Sequence, residues 1–210
     1  MAEPLIPLFP LPLVLLPNAA LPLHIFEDRY REMMGEIIPA RAEFGMVLCK
    51  DQGIVNIGCT ATVEQVVRRY PDGRLDIVAM GRRRFTVISL NDDKSYLRAA
   101  VEFFNDEQAG DVPAELRSRA IHEYRQLRKV VDDPSRAEAQ LDQPQMSFEL
   151  GGLIDDTDKR QSLLSMRSEV KRLEYLVSIL PQYTVQQRLV RLARRAGPLN
   201  GHAKHILESS

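Results

Sequence analysis

The chain is 210 residues long, enough for one large domain or two small ones, and its 44% hydrophobic and 27% charged residues are ordinary for a soluble globular protein. A formal net charge of -1 leaves no global reason for it to seek nucleic acid or an anionic membrane. Its 2 cysteines, Cys49 and Cys59, lack a metal-ligand spacing and read as small buried hydrophobes in a reducing compartment, although separation alone also allows a disulfide.

The stretch from Leu5 to Phe26 is strongly apolar, yet Pro7, Pro10, Pro12, Pro17 and Pro22 interrupt it. Each removes a backbone donor and disfavours helix at the preceding residue, so a membrane-spanning helix is not expected. Glu3 stands where a secretory signal carries a base. The segment reads as an extended, edge-type strand of a cytoplasmic protein. Asp28 to Ile38 is the one helix expected in this half. Strands follow at Phe44 to Lys50 and at Ile54 to Val67, the latter interrupted at Gly58. Tyr70-Pro71-Asp72-Gly73-Arg74 is a turn, with proline presetting φ and glycine accepting a positive value. Beyond it Leu75, Ile77 and Ala79 alternate with Asp76 and Val78, the period of a half-buried strand. Phe85 to Leu90 and Leu97 to Phe104 are read as two more strands.

After Asn105 the pattern changes. Leu116, Ala120, Tyr124, Leu127 and Val131 recur at helical spacing, ended by Asp132-Asp133-Pro134. Ser147 to Ile154 reads as a short helix. Val170, Leu173, Val177 and Leu180 define another helix, closed by Pro181. A capping box of Thr184 with Gln187 then opens a last one, with Val185, Leu189, Leu192 and Ala196 on one face and Gly197-Pro198 as its stop. Arg188, Arg191, Arg194 and Arg195 near its end complement the helix dipole. The layout is α+β: a β-rich unit over 1–105, a helical unit over 111–197 and a flexible tail over 198–210.

Several segments together carry a family likeness. Ile6-Pro7-Leu8-Phe9-Pro10-Leu11, Val14-Leu15-Leu16-Pro17-Asn18, Leu21-Pro22-Leu23-His24-Ile25-Phe26-Glu27 and Arg29-Tyr30 resemble the opening signature of Lon protease amino-terminal domains. The likeness is greatest to the short bacterial proteins that contain only that domain. Phe44-Gly45, the Val55-to-Val63 strand with Gly58, Asp72-Gly73-Arg74 and Gly81-Arg82-Arg83-Arg84-Phe85 fall where that family expects them. Asn18 departs from a position where the family often has Gly; Asn is the next most tolerant of positive φ, so the turn is expected to survive. The resemblance implies a PUA-like β-barrel packed against a helical extension, and a substrate-recognition or partner-binding role.

Catalytic chemistry is not expected. No G-x-x-x-x-G-K-[ST] phosphate loop occurs, and 210 residues already assigned leave no room for a Ser–Lys peptidase domain. His202 and His205 share an i, i+3 spacing but have no carboxylate or thiol ligand nearby, and no metal or cofactor is expected. Two binding surfaces remain. Arg82 and Arg83, with Arg68, Arg69, Tyr70 and Arg74 on the neighbouring hairpin, could hold RNA phosphates or an acidic peptide. The plainer reading is a solvated strand end, with Arg84 anchoring a carboxylate beside Phe85. Aromatics at 6% and Trp at 0 offer RNA bases few stacking platforms. The Pro-rich opening forms an edge able to accept a partner strand, with Leu13, Leu16, Leu23, His24, Glu27 and Arg29 as candidate contacts. The function expected is a non-catalytic module for polypeptide segments or a partner protein, linked to protein turnover. The alternative is RNA binding through the arginine hairpin.

Overall fold

The computed structural model describes residues 5–51, 53–107, 111–131 and 141–196, with the backbone alone for 195 and 196. The expected flexible tail, the His202–His205 pair and the stop signals at 132–134 and 197–198 lie outside the described residues.

Strands occupy the first half: β1 (Ile6–Leu11), β2 (Ala20–Ile25), β3 (Phe44–Lys50), β4 (Gly53–Arg69), β5 (Leu75–Asn91) and β6 (Arg98–Phe104). The order is β2-β5-β4-β3-β1-β6, and a further β5–β6 pairing bonds five of the strands into a ring. Leu8, Val47, Phe85 and Ala99 form a cluster of their own among these strands. The helix α1 (Asp28–Ala40) buries Tyr30, Met33, Met34 and Ile37 in a second cluster, with Phe9, Phe44, Met46, Leu75, Ile77 and Ala79. It ends in a left-handed residue, Arg41 at φ 50, and the Arg41 and Ala42 N–H groups cap the Ile38 and Ile37 carbonyls.

Four helices follow: α2 (Ala114–Val131), α3 (Met146–Gly151), α4 (Thr157–Ser165) and α5 (Glu169–Ala196). Ala120, Tyr124 and Leu127 of α2 meet Leu173, Leu176, Leu180 and Tyr183 of α5 in a third cluster. Phe148 of α3 and Leu164 of α4 instead join the strand-side cluster, so the two halves share apolar contact.

Four details depart from the sequence expectations. β1 is not an edge: it pairs with β3 in parallel and with β6 antiparallel, whereas β2 lies at an edge. The strands expected at Leu75–Ala79 and Phe85–Leu90 are one 17-residue strand, because Gly81 to Arg84 continues the ladder with β4. Helix α4 was not anticipated, its buried Leu163 and Leu164 being adjacent rather than three or four apart. Helix α5 runs 28 residues through Pro181 without a break. Thr184 therefore caps nothing; its hydroxyl donates back to the Leu180 carbonyl at 2.8 Å.

Candidate functional site

The first half of β5 is flanked by β2 on one side and by the second half of β4 on the other. His24 lies opposite Asp76, Pro22 opposite Val78, and Arg68 opposite Asp76 from the far side. Alternation sends Leu75, Ile77 and Ala79 into the core and turns His24, Asp76 and Val78 outward. Register shifts after Val63 and Val66 re-aim β4, and Val67 ends up 57% exposed. Pro22, Leu23, His24, Val67, Asp76 and Val78 are among the residues lining a shallow groove of about 340 Å³. Phe26, 60% exposed just past β2, stacks on the His24 ring at 5.9 Å.

Polar groups on this face bond to one another. His24 Nδ1 is 2.6 Å from Asp76 Oδ1, and the Tyr70 hydroxyl donates to Asp76 Oδ2 at 2.8 Å. These two hydrogen bonds hold the Asp76 carboxyl below the usual carboxylate range, and the bond to Asp76 pushes the Tyr70 phenol up. The Tyr70 ring meets the His24 ring edge-on and lies under the guanidinium groups of Arg68 and Arg74. Tyr70 is placed by the expected turn: Gly73 has φ 87, and the Tyr70 N–H donates to the Arg74 carbonyl at 2.9 Å. Arg31 on α1 ties that turn down by donating to the Asp72 carbonyl. An imidazole oriented by a carboxylate can act as a general base, but no Ser or Cys is among the residues lining the groove.

The opposite end of β2 is fixed by a close approach of backbones. Pro17 and Asn18 form a turn closed by the Ala19 N–H on the Leu16 carbonyl, with Asn18 at φ 61, the positive value its amide tolerates. This turn lies on Gly81, where a Cβ would sit 2.1 Å from the Leu16 oxygen. The Asn18 N–H donates to the Gly81 carbonyl, and the Gly81 N–H to the Ala19 carbonyl.

Of the sequence candidates, His24, Tyr70 and Leu23 come together here, with Leu23 partly buried against the core. Glu27 and Arg29 pair at 2.7 Å beyond the strand end, Arg29 also lying over the Tyr30 ring. Leu13 packs against the core, and Leu16 is 0% exposed, so as a contact residue Leu16 is corrected: its side chain belongs to the interior. Arg82 and Arg83 are engaged elsewhere. Arg82 pairs with Glu64 and donates to Thr62; Arg83 pairs with Glu43 and covers the Phe103 ring at 3.8 Å. The basic patch is thus largely balanced by carboxylates. Asp76, Phe26, Val67 and Val78 were missed. Asp76 meets His24 only through a register linking positions 52 apart, and the position of Val67 follows from a bulge.

Arg84 goes the other way. It is 4% exposed, pairs with Asp106 at 2.5 Å, and donates to the Leu164 and Met166 carbonyls. Arg172 of α5, fully buried, takes the other Asp106 oxygen at 2.5 Å, pairs with Glu169 at 2.8 Å and donates to the Ser147 hydroxyl. Both guanidinium groups also lie over the Phe148 ring. This network joins the strand half to α3, α4 and α5. Cys49 and Cys59 are free thiols, and burial pushes the Cys59 thiol up to about 12. Among the described residues there is no group of three or more His, Cys, Asp or Glu able to hold a metal ion, and no helix long and apolar enough to cross a membrane.

Comparison with known proteins identifies the fold. A family model described as the ATP-dependent protease La (LON) substrate-binding domain matches residues 5–182. The crystal structure of a Lon N-terminal domain protein from Xanthomonas campestris superposes with a TM-score of 0.68 at 27% identity, covering 83% of this chain and 98% of that one. The N-terminal domain of a Mycobacterium avium complex Lon protease shares the fold, with a TM-score of 0.63 at 16% identity over 85% of this chain and 98% of that one. A Lon protease from Parabacteroides distasonis is 27% identical over 109 residues, 48% of this chain but only 13% of that protein's length. The chain belongs to the LON substrate-binding domain family.

Proposed function

We propose that this chain is a non-catalytic binding module for polypeptide segments of other proteins, linked to protein turnover, and that it binds them on the outer face of β2, β5 and β4. The observation that carries this reading is the exposure of Phe26 and Val67 beside a groove whose polar groups are already bonded to one another. Such a face offers apolar contact with a few oriented polar atoms, the composition of a recognition site. The Lon protease relative supports the link to turnover. Free cysteines agree with a reducing, cytoplasmic setting. In this reading 1–105 and 111–197 act as two subdomains of one module, joined through Asp106.

Fluorescence anisotropy with a labelled, reduced and carboxymethylated protein tests this, its native form serving as the control. The unfolded chain is expected to bind and the native form not to. Replacing Phe26→Ser together with Val67→Ser should weaken binding by about tenfold or more. Unchanged affinity in the double variant overturns the placement. Absence of binding to any unfolded chain, with RNA retained instead and released steeply by salt, overturns the function.

A further inference from the structure

The sheet around this face has two open edges, and they are not alike. Among the described residues β2 pairs with β5 alone, and it carries Pro22 near its centre. A proline in a strand has no donor to offer and spoils an edge for further pairing. β4 pairs with β3 only as far as Ala61; from Thr62 to Arg69 its ladder partners are all on β5. Alternate N–H and C=O groups on the far side of this run have no strand partner among the described residues. The run contains neither proline nor glycine, and Thr62, Val63, Val66 and Val67 are β-branched.

A groove of about 430 Å³ lies along this second edge. One wall is β4 from Thr62 to Val66; the other is the end of α1 and its cap, Ile37, Ile38, Arg41 and Ala42. An edge strand with a helix alongside is the arrangement in which an extended chain adds as a further strand, held by main-chain hydrogen bonds while the helix shapes the side-chain pockets. The charge in the groove is unbalanced. Arg82 is committed to Glu64, whereas Arg41 is exposed and has no ion pair among the described residues.

We propose that the groove between β4 and the end of α1 takes an extended, acidic polypeptide segment as an added strand, paired with Thr62–Val66 and placing a carboxylate on Arg41. This rests on the polypeptide-binding reading and assigns it a second contact with its own mode and preference. The bulges after Val63 and Val66 keep the added strand short.

The probe is a soluble peptide of alternating Val and Glu, compared with the same peptide N-methylated at every second amide, which loses its donors along one edge. Binding is followed by anisotropy and by amide hydrogen exchange of the full chain. The expected result is binding of the parent peptide only, with amides in 62–66 slowed about tenfold or more; Arg41→Glu weakens it by a similar factor and Arg41→Lys keeps it. Equal binding of the methylated peptide, or protection in 20–25 instead, overturns strand addition at β4. Protection of 62–66 without peptide, in a chain that sediments as a dimer, assigns the edge to a second copy and also overturns it. If the unfolded protein binds while 62–66 stays unprotected by either probe, this proposal alone fails; if neither probe binds, the polypeptide-binding reading fails with it.

Discussion

Asp106 and Asp76 are each held between two partners, both distant in sequence for Asp106 and one of them, His24, for Asp76, and the two clusters do different things. Asp106 binds Arg84 from β5 and Arg172 from α5, with only 19% of its side chain exposed and both guanidinium groups almost wholly buried. Asp76 binds His24 and Tyr70 with about a third of its side chain open to water. In a poorly solvated setting a charge left without its partner has no water to turn to, so the Asp106 cluster fastens the two halves together. At the rim solvent replaces any lost bond, so the Asp76 cluster can orient aromatic rings without holding the fold. Burial separates a fastening from a recognition surface.

The sharpest break of this comparison is Asp106→Ala, which takes from buried Arg84 the carboxylate it pairs with and leaves buried Arg172 with Glu169 alone. Losing one member of such a network costs about 3–5 kcal/mol, to be read as a lower denaturant midpoint. Asp76→Ala is expected to leave that midpoint close to the parent value; a comparable drop at both positions would show that exposure does not separate them. Acid sharpens the same contrast. Burial pushes the Asp106 carboxyl up, but Arg172 and Arg84 outweigh it and hold it below the usual carboxylate range. A depressed carboxylate contributes stability that is present in full above its unfolded value, about 3.9, and disappears as pH falls through the lower folded value. The stability gap between the parent and Asp106→Asn should therefore hold constant from neutral pH to about 5 and close only below about 3.9. A gap that closes nearer neutrality would mean that another group carries it.

Next in size is Gly81→Ala. The added methyl would meet the Leu16 carbonyl oxygen, which is backbone and cannot swing aside. Overpacking of this kind costs about 1–3 kcal/mol. Because Gly81 holds the Leu16–Ala19 turn that leads into β2, amide exchange should quicken in Ala20–Ile25 more than in β3. Uniform quickening would place the strain elsewhere.

Much of the fold could be read from residues. The Tyr70–Arg74 turn, the start of α1 at Asp28 and the positive φ of Asn18 follow from local chemistry. What could not be read depended on distant partners. Three successive arginines look like a strand end, yet β5 continues through them because Arg84 finds Asp106 in the interior. Pro181 looks like a helix stop, yet α5 continues because Leu176, Leu180 and Tyr183 remain packed against α2 across it. The candidate site was half legible: His24 and Tyr70 were singled out, whereas Asp76, Phe26 and Val67 became visible only with the register and bulges of β4 and β5.

The smallest effect expected falls on the residues that look most functional in the sequence. Arg82 and Arg83 pair with Glu64 and Glu43 on the surface, where Coulomb attraction is weak and ordering two long side chains offsets it. Arg82→Ala or Arg83→Ala should therefore shift stability by about 0.5 kcal/mol or less. Arg84→Ala, one position along, removes a buried partner of Asp106 and should cost several times more. Urea denaturation of the three variants in parallel checks this. Equal losses at all three would mean that the register shift between Gly81 and Arg84, which leaves Arg82 and Arg83 outward and turns Arg84 inward, does not separate their roles, and the division between fastening and surface would fail at Arg84.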